Sequence, residues 1–313
     1  MKKSQSEHGS NKFSDTTHVQ CVIDSLPESL TDAERQEASQ CIRRNADVFS
    51  RSEYDLGLTD LMEHSIDTGN NKPVKQALRR HSVAYLPLID KHVDEMLQHG
   101  IIKSVPGSGW VSNVVLVRKS DGSLIFCLNY RNLNANTLKS NYLLPRIDTC
   151  LESLGGNKYF STCDMRSAYY QVRVKESDVS KTCFVTRKGV FAFNVLSFGL
   201  VNAPSTFQRL VDLTLSGLTW EICLAFLDDV VIFSRNFKEH IERLELVFDR
   251  LRRAHLKLKP TKCRVFQTKV KFLGSVISEA GIEPDPGKVD AVVSWPRPSH
   301  VTEVRAFVAL ASY

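Results

Sequence analysis

Leu224-Ala225-Phe226-Leu227-Asp228-Asp229-Val230-Val231-Ile232-Phe233 is the stretch on which the fold turns. Two short apolar runs, Leu224–Leu227 and Val230–Phe233, meet through an Asp-Asp pair. Their length and branched side chains suit two strands of a hairpin. Asp-Asp at a turn is ordinary turn chemistry. Here, however, neither Gly nor Asn flanks the pair, and the neighbours on both sides are apolar. Asp is depleted in strands and costly to bury unpaired. Side chains alternate across a strand, so Asp228 and Asp229 point the same way only where the turn bends the chain. Upstream, Tyr159 to Cys163 forms another strand candidate that runs into Asp164. One member of the pair together with Asp164, from a neighbouring strand, would supply hard oxygen ligands of the kind that suits Mg²⁺. Two such ions, ~3.5–4 Å apart, stabilise the attacking and leaving oxygens of an in-line phosphoryl displacement. The spacing by itself leaves plain turn chemistry open as the alternative.

Around this centre the pattern is mixed. Phe237, Ile241, Leu244, Phe248 and Leu251 recur at helical spacing and predict an amphipathic helix. Asn202-Ala203-Pro204 opens another, with Asn as N-cap and Phe207, Leu210, Val211 and Thr214 inward. Thr31 and Glu34 have capping-box spacing. Residues 87–99 put Ile89, Val93, Met96 and Leu97 on one face, and Gly100 ends that helix. A short helix after Pro145 would turn Ile147, Leu151 and Leu154 inward. Val114–Val117 and Leu124–Leu128 flank Ser120-Asp121-Gly122-Ser123, a hairpin signal. Two further helical patterns surround Trp295-Pro296-Arg297-Pro298. Helices and hairpins do not alternate strictly, which predicts an α+β fold with an antiparallel sheet.

Composition bounds the rest. The 313 residues carry 41 Lys and Arg against 35 Asp and Glu, with 42% hydrophobic residues. That excludes a disordered or fibrous chain. No apolar run reaches the ~18–20 residues of a membrane span, so no membrane partner is expected. The eight cysteines contain no CxxC, which points to reduced thiols in an intracellular protein. Residues 1–18 are expected to be a disordered polar tail. Residues 51–80 read as an extended basic arm with Lys72, Lys75, Arg79 and Arg80. His240 and His255 are expected on the polar side of one helix. Arg252, Arg253, Lys257, Lys259, Lys262, Arg264, Lys269 and Lys271 form a basic stripe of the kind that tracks a nucleic-acid backbone. Asp67-Thr68-Gly69 spells an aspartic protease triplet but lacks the apolar strand before it. We expect it to be a decoy.

The text around the aspartates carries a resemblance. Lys158-Tyr159-Phe160-Ser161-Thr162-Cys163-Asp164-Met165-Arg166-Ser167-Ala168-Tyr169-Tyr170-Gln171 resembles the first catalytic block of reverse transcriptases from gypsy-type LTR retrotransposons. Phe198-Gly199-Leu200-Val201-Asn202-Ala203-Pro204-Ser205-Thr206-Phe207-Gln208 is similar to their template- and nucleotide-contacting block. Phe226-Leu227-Asp228-Asp229 resembles their Tyr-x-Asp-Asp box, and Phe272-Leu273-Gly274 their primer grip. The blocks occur in family order from about Leu26 onward.

The resemblance implies a right-hand polymerase fold of fingers, palm and thumb. It implies an arm and helix over 19–84, fingers and palm over 85–279, and the start of a thumb over 280–313. Asp164 and Asp228 would bind two Mg²⁺ ions, or Mn²⁺ in their place, with Asp229 beside them. Tyr169, next to Ala168, would lie under the sugar of the incoming nucleotide. Phe198 and Gly199 would line that pocket, Lys119 would meet the triphosphate, and Arg131 matches a family arginine. The partners implied are an RNA or DNA template with its primer and deoxynucleoside triphosphates. The sequence carries no signal for oligomeric state. The chain would be a piece of a polyprotein that ends within the thumb.

Several positions depart from the family pattern. Ile125 stands where an arginine grips the incoming phosphates, Asn129 replaces an aspartate, and Ser197 and Asn113 replace prolines. Isoleucine cannot neutralise developing phosphate charge. A catalytically impaired remnant that only binds primer–template is therefore the alternative expectation.

Overall fold

The computed structural model describes residues 16–118 and 124–311. Its centre is a four-stranded antiparallel sheet. The Tyr159–Asp164 strand lies between Arg264–Gln267 and Asp229–Ser234, and Cys223–Phe226 forms the far edge. Alternation divides the side chains of this sheet between two cores. Phe160, Leu224, Val231 and Phe233 pack on one face with Cys150, Leu154, Val270, Phe272 and Ile277. Cys163, Cys223, Ala225, Val230 and Ile232 belong to the core on the other face. That core includes Phe207, Leu210 and Val211 of the Ala203–Thr214 helix and Ile241, Leu244, Phe248 and Leu251 of the Phe237–Arg253 helix, and Phe248 meets Phe49 edge-on at 5.5 Å.

A five-stranded sheet joins Ser112–Arg118 and Leu124–Leu128 to Phe184–Thr186, Gly189–Phe193 and Ile102–Ser104. The predicted hairpin is present, with Val117 opposite Ile125. Its turn, including Lys119, lies outside the described residues. This sheet is mixed, because Ser112-Asn113 run parallel to Phe184-Val185. The long excursion through the central sheet returns the chain in the same direction, as parallel pairing requires. Beyond the central sheet, Lys269–Phe272, Ser275–Ser278 and Gly281–Pro284 form a three-stranded sheet. The Pro286–Val293 and Val301–Ala311 helices follow it. No helix among the described residues is long and apolar enough to cross a membrane.

The capping box at Thr31 and Glu34 forms in both directions. Other expectations change in detail. Residues 1–15 lie outside the described residues, but a short helical turn already begins at Thr17, inside the span read as a tail. Ile147 is exposed, while Leu154 of the same expected face is fully buried, because the helix there spans only Ile147–Glu152. Asn202 precedes its helix without capping it through its side chain. That amide instead accepts from Ser140 N–H and donates to the Leu138 carbonyl. The basic arm is stitched down by Asn113, whose amide donates to Gln76 Oε1 and the Ala77 carbonyl and accepts from Arg79 N–H.

His240 is the clearest correction. It is fully buried, not on a polar surface. Its ring nitrogens lie 2.7 Å from Ser161 Oγ and 2.9 Å from Ser234 Oγ, joining the helix to two neighbouring strands. Ser161 Oγ also accepts from Phe266 N–H. His255 is exposed beyond the helix end, as expected of a surface group, and lies 3.4 Å from Asp60. Burial, followed by the Arg243 charge, pushes the His240 imidazole down to about 3. The folded state thus keeps it neutral. Its stabilising contribution is complete above the unfolded value near 6.5 and is lost as pH falls toward 3. Thermal unfolding measured between pH 7.5 and 4 is expected to lose up to about 1.4 kcal/mol per pH unit below 6.5 from this group. His240→Gln is expected to flatten that slope.

Candidate active site

The site begins with strand register. Asp229 pairs with Phe226 across the hairpin, leaving Leu227 and Asp228 as the turn. On its other side Asp229 pairs with Asp164, both at strand ends. Directly opposed residues share a face, so these two carboxylates lie on the same side of the sheet as the Phe160–Val231 core. Asp228 sits in the turn, and its carbonyl accepts from Met165 N–H at 3.0 Å. The bend that the Asp-Asp pair requires is made by Leu227, whose φ is +55°.

Gln208 fastens this turn. Its side chain is fully buried in the Ala203–Thr214 helix. Oε1 accepts from Leu227 N–H at 2.7 Å, and Nε2 donates to the Ala225 carbonyl and to Asp212 Oδ1. In the sequence Gln208 closes the block similar to the template- and nucleotide-contacting block of the family, and it has no role assigned there. The available signal was a polar amide beside Phe207 and close to Leu210 and Val211 on an inward face, where a buried polar group must be satisfied.

Three acids at one place repel. Asp229 keeps access to solvent, yet burial and then the charges of Asp228 and Asp164 push its carboxyl up to about 6. Lys262 opposes this. It ends a helical turn at Pro260–Lys262, and its Nζ donates to Asp164 Oδ2 at 2.7 Å. The pair holds the lysine ammonium above its usual range, chiefly through that bond. With Asp164 engaged by Lys262 and Asp228 out in the turn, no group of three or more His, Cys, Asp or Glu among the described residues is arranged around a metal position.

A cleft of about 420 Å³ opens over Asp164 and Asp229. Its opposite wall is Lys271, Phe272, Leu273 and Gly274. Phe272 is buried in the core shared with Phe160 and Val231. Leu273 and Gly274 form the turn between paired Phe272 and Ser275 and both have positive φ, +49° and +78°. This close turn needs glycine at one position. A Cβ on Gly274 would meet Lys288 Nζ at 2.1 Å.

On the other side of the hairpin, the Tyr169 and Phe198 rings lie 4.9 Å apart. Burial and then the Asp228 charge raise the Tyr169 hydroxyl, so Tyr169 stands near the acidic turn. Ala168 is buried beneath it, and Gly199 takes a φ of +91° beside Tyr130. Arg131 opens the Arg131–Asn136 helix and is exposed. Ile125 lines a second cleft, of about 270 Å³, with Tyr54, Ser167, Tyr170 and Phe198.

The basic stripe is largely committed. Arg252 pairs with Asp47, Arg253 with Asp249, Lys269 with Glu283 and Lys271 with Asp285. Lys257 donates to the Asp47 carbonyl, and Arg264 to those of Thr261 and Cys263. The protease-like triplet is a turn in which Asp67 Oδ1 accepts from Gly69 N–H.

Acidic strand ends facing a tight turn across an open cleft, on a sheet backed by two helices, define the palm of a right-hand polymerase. Comparison with known proteins agrees. The family described as reverse transcriptase (RNA-dependent DNA polymerase) matches residues 117–277, just over half of the chain. The chain belongs to this family and to its gypsy-type LTR retrotransposon branch. It is 34% identical over 273 residues to the retrovirus-related Pol polyprotein from transposon 297 of Drosophila melanogaster, covering 85% of this chain and 26% of that one. Against the Pol polyprotein of transposon gypsy, from the same organism, it is 32% identical over 291 residues, 91% of this chain and 28% of that one. The chain thus spans about a quarter of the length of the curated relatives it matches. In structure it resembles the foamy viral protease–reverse transcriptase solved with double-stranded DNA. The TM-score is 0.86 at 20% identity, over 99% of this chain and 54% of that one.

Gln208→Met keeps the volume of the side chain but leaves Leu227 N–H and the Ala225 carbonyl without their partner. Denaturant unfolding is expected to show a loss of about 2 kcal/mol. An unchanged midpoint would mean that the amide does not hold the hairpin.

Proposed function

We propose that this chain catalyses RNA-directed DNA polymerisation, by attack of a primer 3′-hydroxyl on the α-phosphorus of a deoxynucleoside triphosphate with release of pyrophosphate. The observation that carries this proposal is the direct opposition of Asp164 and Asp229, with Asp228 in the adjoining turn. The three carboxylates offer a hard-oxygen donor set, which fits Mg²⁺ or Mn²⁺. Asp164 and Asp228 would hold two such ions with Asp229 beside them. Those ions would supply charge stabilisation to the attacking and leaving oxygens.

The chain's own residues would do the positioning. The Leu273-Gly274 turn would bring the primer end against the acidic strand ends. Tyr169 would support the sugar of the incoming nucleotide, with Ala168, Phe198 and Gly199 shaping the pocket and Lys119 and Arg131 serving its phosphates. The template strand, RNA or DNA, would cross the open face of residues 85–279, and residues 280–313 would begin the thumb. We place the reaction in the cytoplasm, where the eight free cysteines would stay reduced.

A second outcome has its own observation. Ile125 is apolar, faces Val117 and lines an aromatic cleft, so it brings no charge to a triphosphate. An impaired remnant that binds primer–template without extending it is the alternative. Primer extension on poly(rA)/oligo(dT) with Mg²⁺ decides between them. Asp228→Asn is expected to abolish extension, and extension that survives it would remove Asp228 from the chemistry. Ile125→Arg is expected to lower the KM for dTTP roughly tenfold, the size of one charged hydrogen bond to phosphate. Salt-sensitive duplex binding with no extension by either chain would favour the remnant.

A further inference from the structure

Lys262 is not a generic surface lysine of the basic stripe. Its side chain is 56% exposed, yet its ammonium is bonded to a carboxylate that is only 13% exposed. The backbone delivers it there. Lys259 N–H donates to the Asp164 carbonyl at 2.8 Å, which braces the 259–262 turn against the end of the Tyr159–Asp164 strand. The neighbouring strand then begins at Arg264, opposite Thr162, and shifts register before Gln267 pairs with Phe160. The other cations of the cleft are engaged elsewhere: Lys271 with Asp285, and Arg264 with backbone carbonyls. Lys262 thus faces the acidic cluster as its counter-charge. Its interactions include Asp228 and Asp229 as well as Asp164.

We propose that Lys262 is a positioning residue that stands in for a divalent cation. Its ammonium holds Asp164 in place before metal arrives and must give up Oδ2 when metal binds, so Lys262 sets the metal affinity of the site. The argument is one of charge. Without a cation, three neighbouring acids repel, and the ammonium offsets part of that repulsion. A lysine ammonium is a compact point charge on a flexible stem, and this stem lies mostly in solvent. Release toward water therefore costs little packing. A divalent ion and the ammonium cannot share one carboxylate oxygen at contact distance without mutual repulsion. Removing the lysine should therefore tighten metal binding while weakening the metal-free fold. A merely structural ion pair would weaken both.

The proposal rests on the metal-binding role of the three aspartates, and its test separates the two. Mn²⁺ binding is followed by the loss of free-ion paramagnetic resonance signal in the wild type, Lys262→Gln, Lys262→Arg and Asp164→Asn chains. Lys262→Gln is expected to bind Mn²⁺ roughly three- to tenfold tighter, the scale of a partly exposed ion pair. It should melt lower than wild type without metal and recover that deficit as Mn²⁺ is added. Lys262→Arg, which keeps the charge, is expected to bind as the wild type does. Wild-type binding with no tightening in Lys262→Gln overturns the role of Lys262 and leaves the aspartate site standing. Binding absent from the wild type and Lys262→Gln alike overturns both. A measurement on the unaltered chain covers the case in which the glutamine variant does not fold. Acetylation of the Lys262 amine, read by mass spectrometry, should speed up severalfold when Mn²⁺ is added, and an unchanged rate overturns the proposal.

Discussion

The antiparallel pairing of Tyr159–Asp164 with Asp229–Ser234 is the constraint on which the rest of the molecule depends. It sets two acids side by side at the end of a sheet that packs an apolar core against each face. A slip of one residue would turn every side chain of the strand to the opposite face. The two cores make such a slip costly, because Phe160 and Val231 fill one and Cys163 and Val230 the other. Packing thereby imposes a juxtaposition of charge that electrostatics alone would disfavour.

That cost is met by neighbouring groups. Gln208 holds the Leu227 N–H from below, Met165 N–H binds the Asp228 carbonyl, and Lys262 offsets the charge at Asp164. The Ser161–His240–Ser234 bridge ties the helix beneath to both central strands. Each of these groups lies outside the acidic motif, and each restricts how far the carboxylates can move. Preorganisation of this kind is where polymerase-type sites gain most, since positioning dominates phosphoryl-transfer catalysis.

The departures from the family pattern sort differently in three dimensions. Asn113, where the resemblance leads us to expect a proline, uses its amide to stitch the basic arm, so it has a structural use of its own. Ser197 lies next to Phe198 and bonds its carbonyl. Ile125 has no comparable polar contact. It sits across from Val117 in an exposed apolar pair on the hairpin of Ser112–Arg118 with Leu124–Leu128.

The sequence by itself determined the elements and the acidic motif. Helical spacing marked the Phe237–Arg253 face, a capping box marked Thr31, and apolar runs interrupted by aspartate marked the hairpin. These signals are local, carried by residues within a turn or a strand of one another. Burial of His240, the grip of Gln208 on Leu227 and the bond of Lys262 to Asp164 were settled only by the tertiary structure. A histidine or lysine in a polar stretch reads as solvated until distant strands enclose it or bring an acid to it. Its partners lie far along the chain, and no local period records which segments the packing of two cores will bring together.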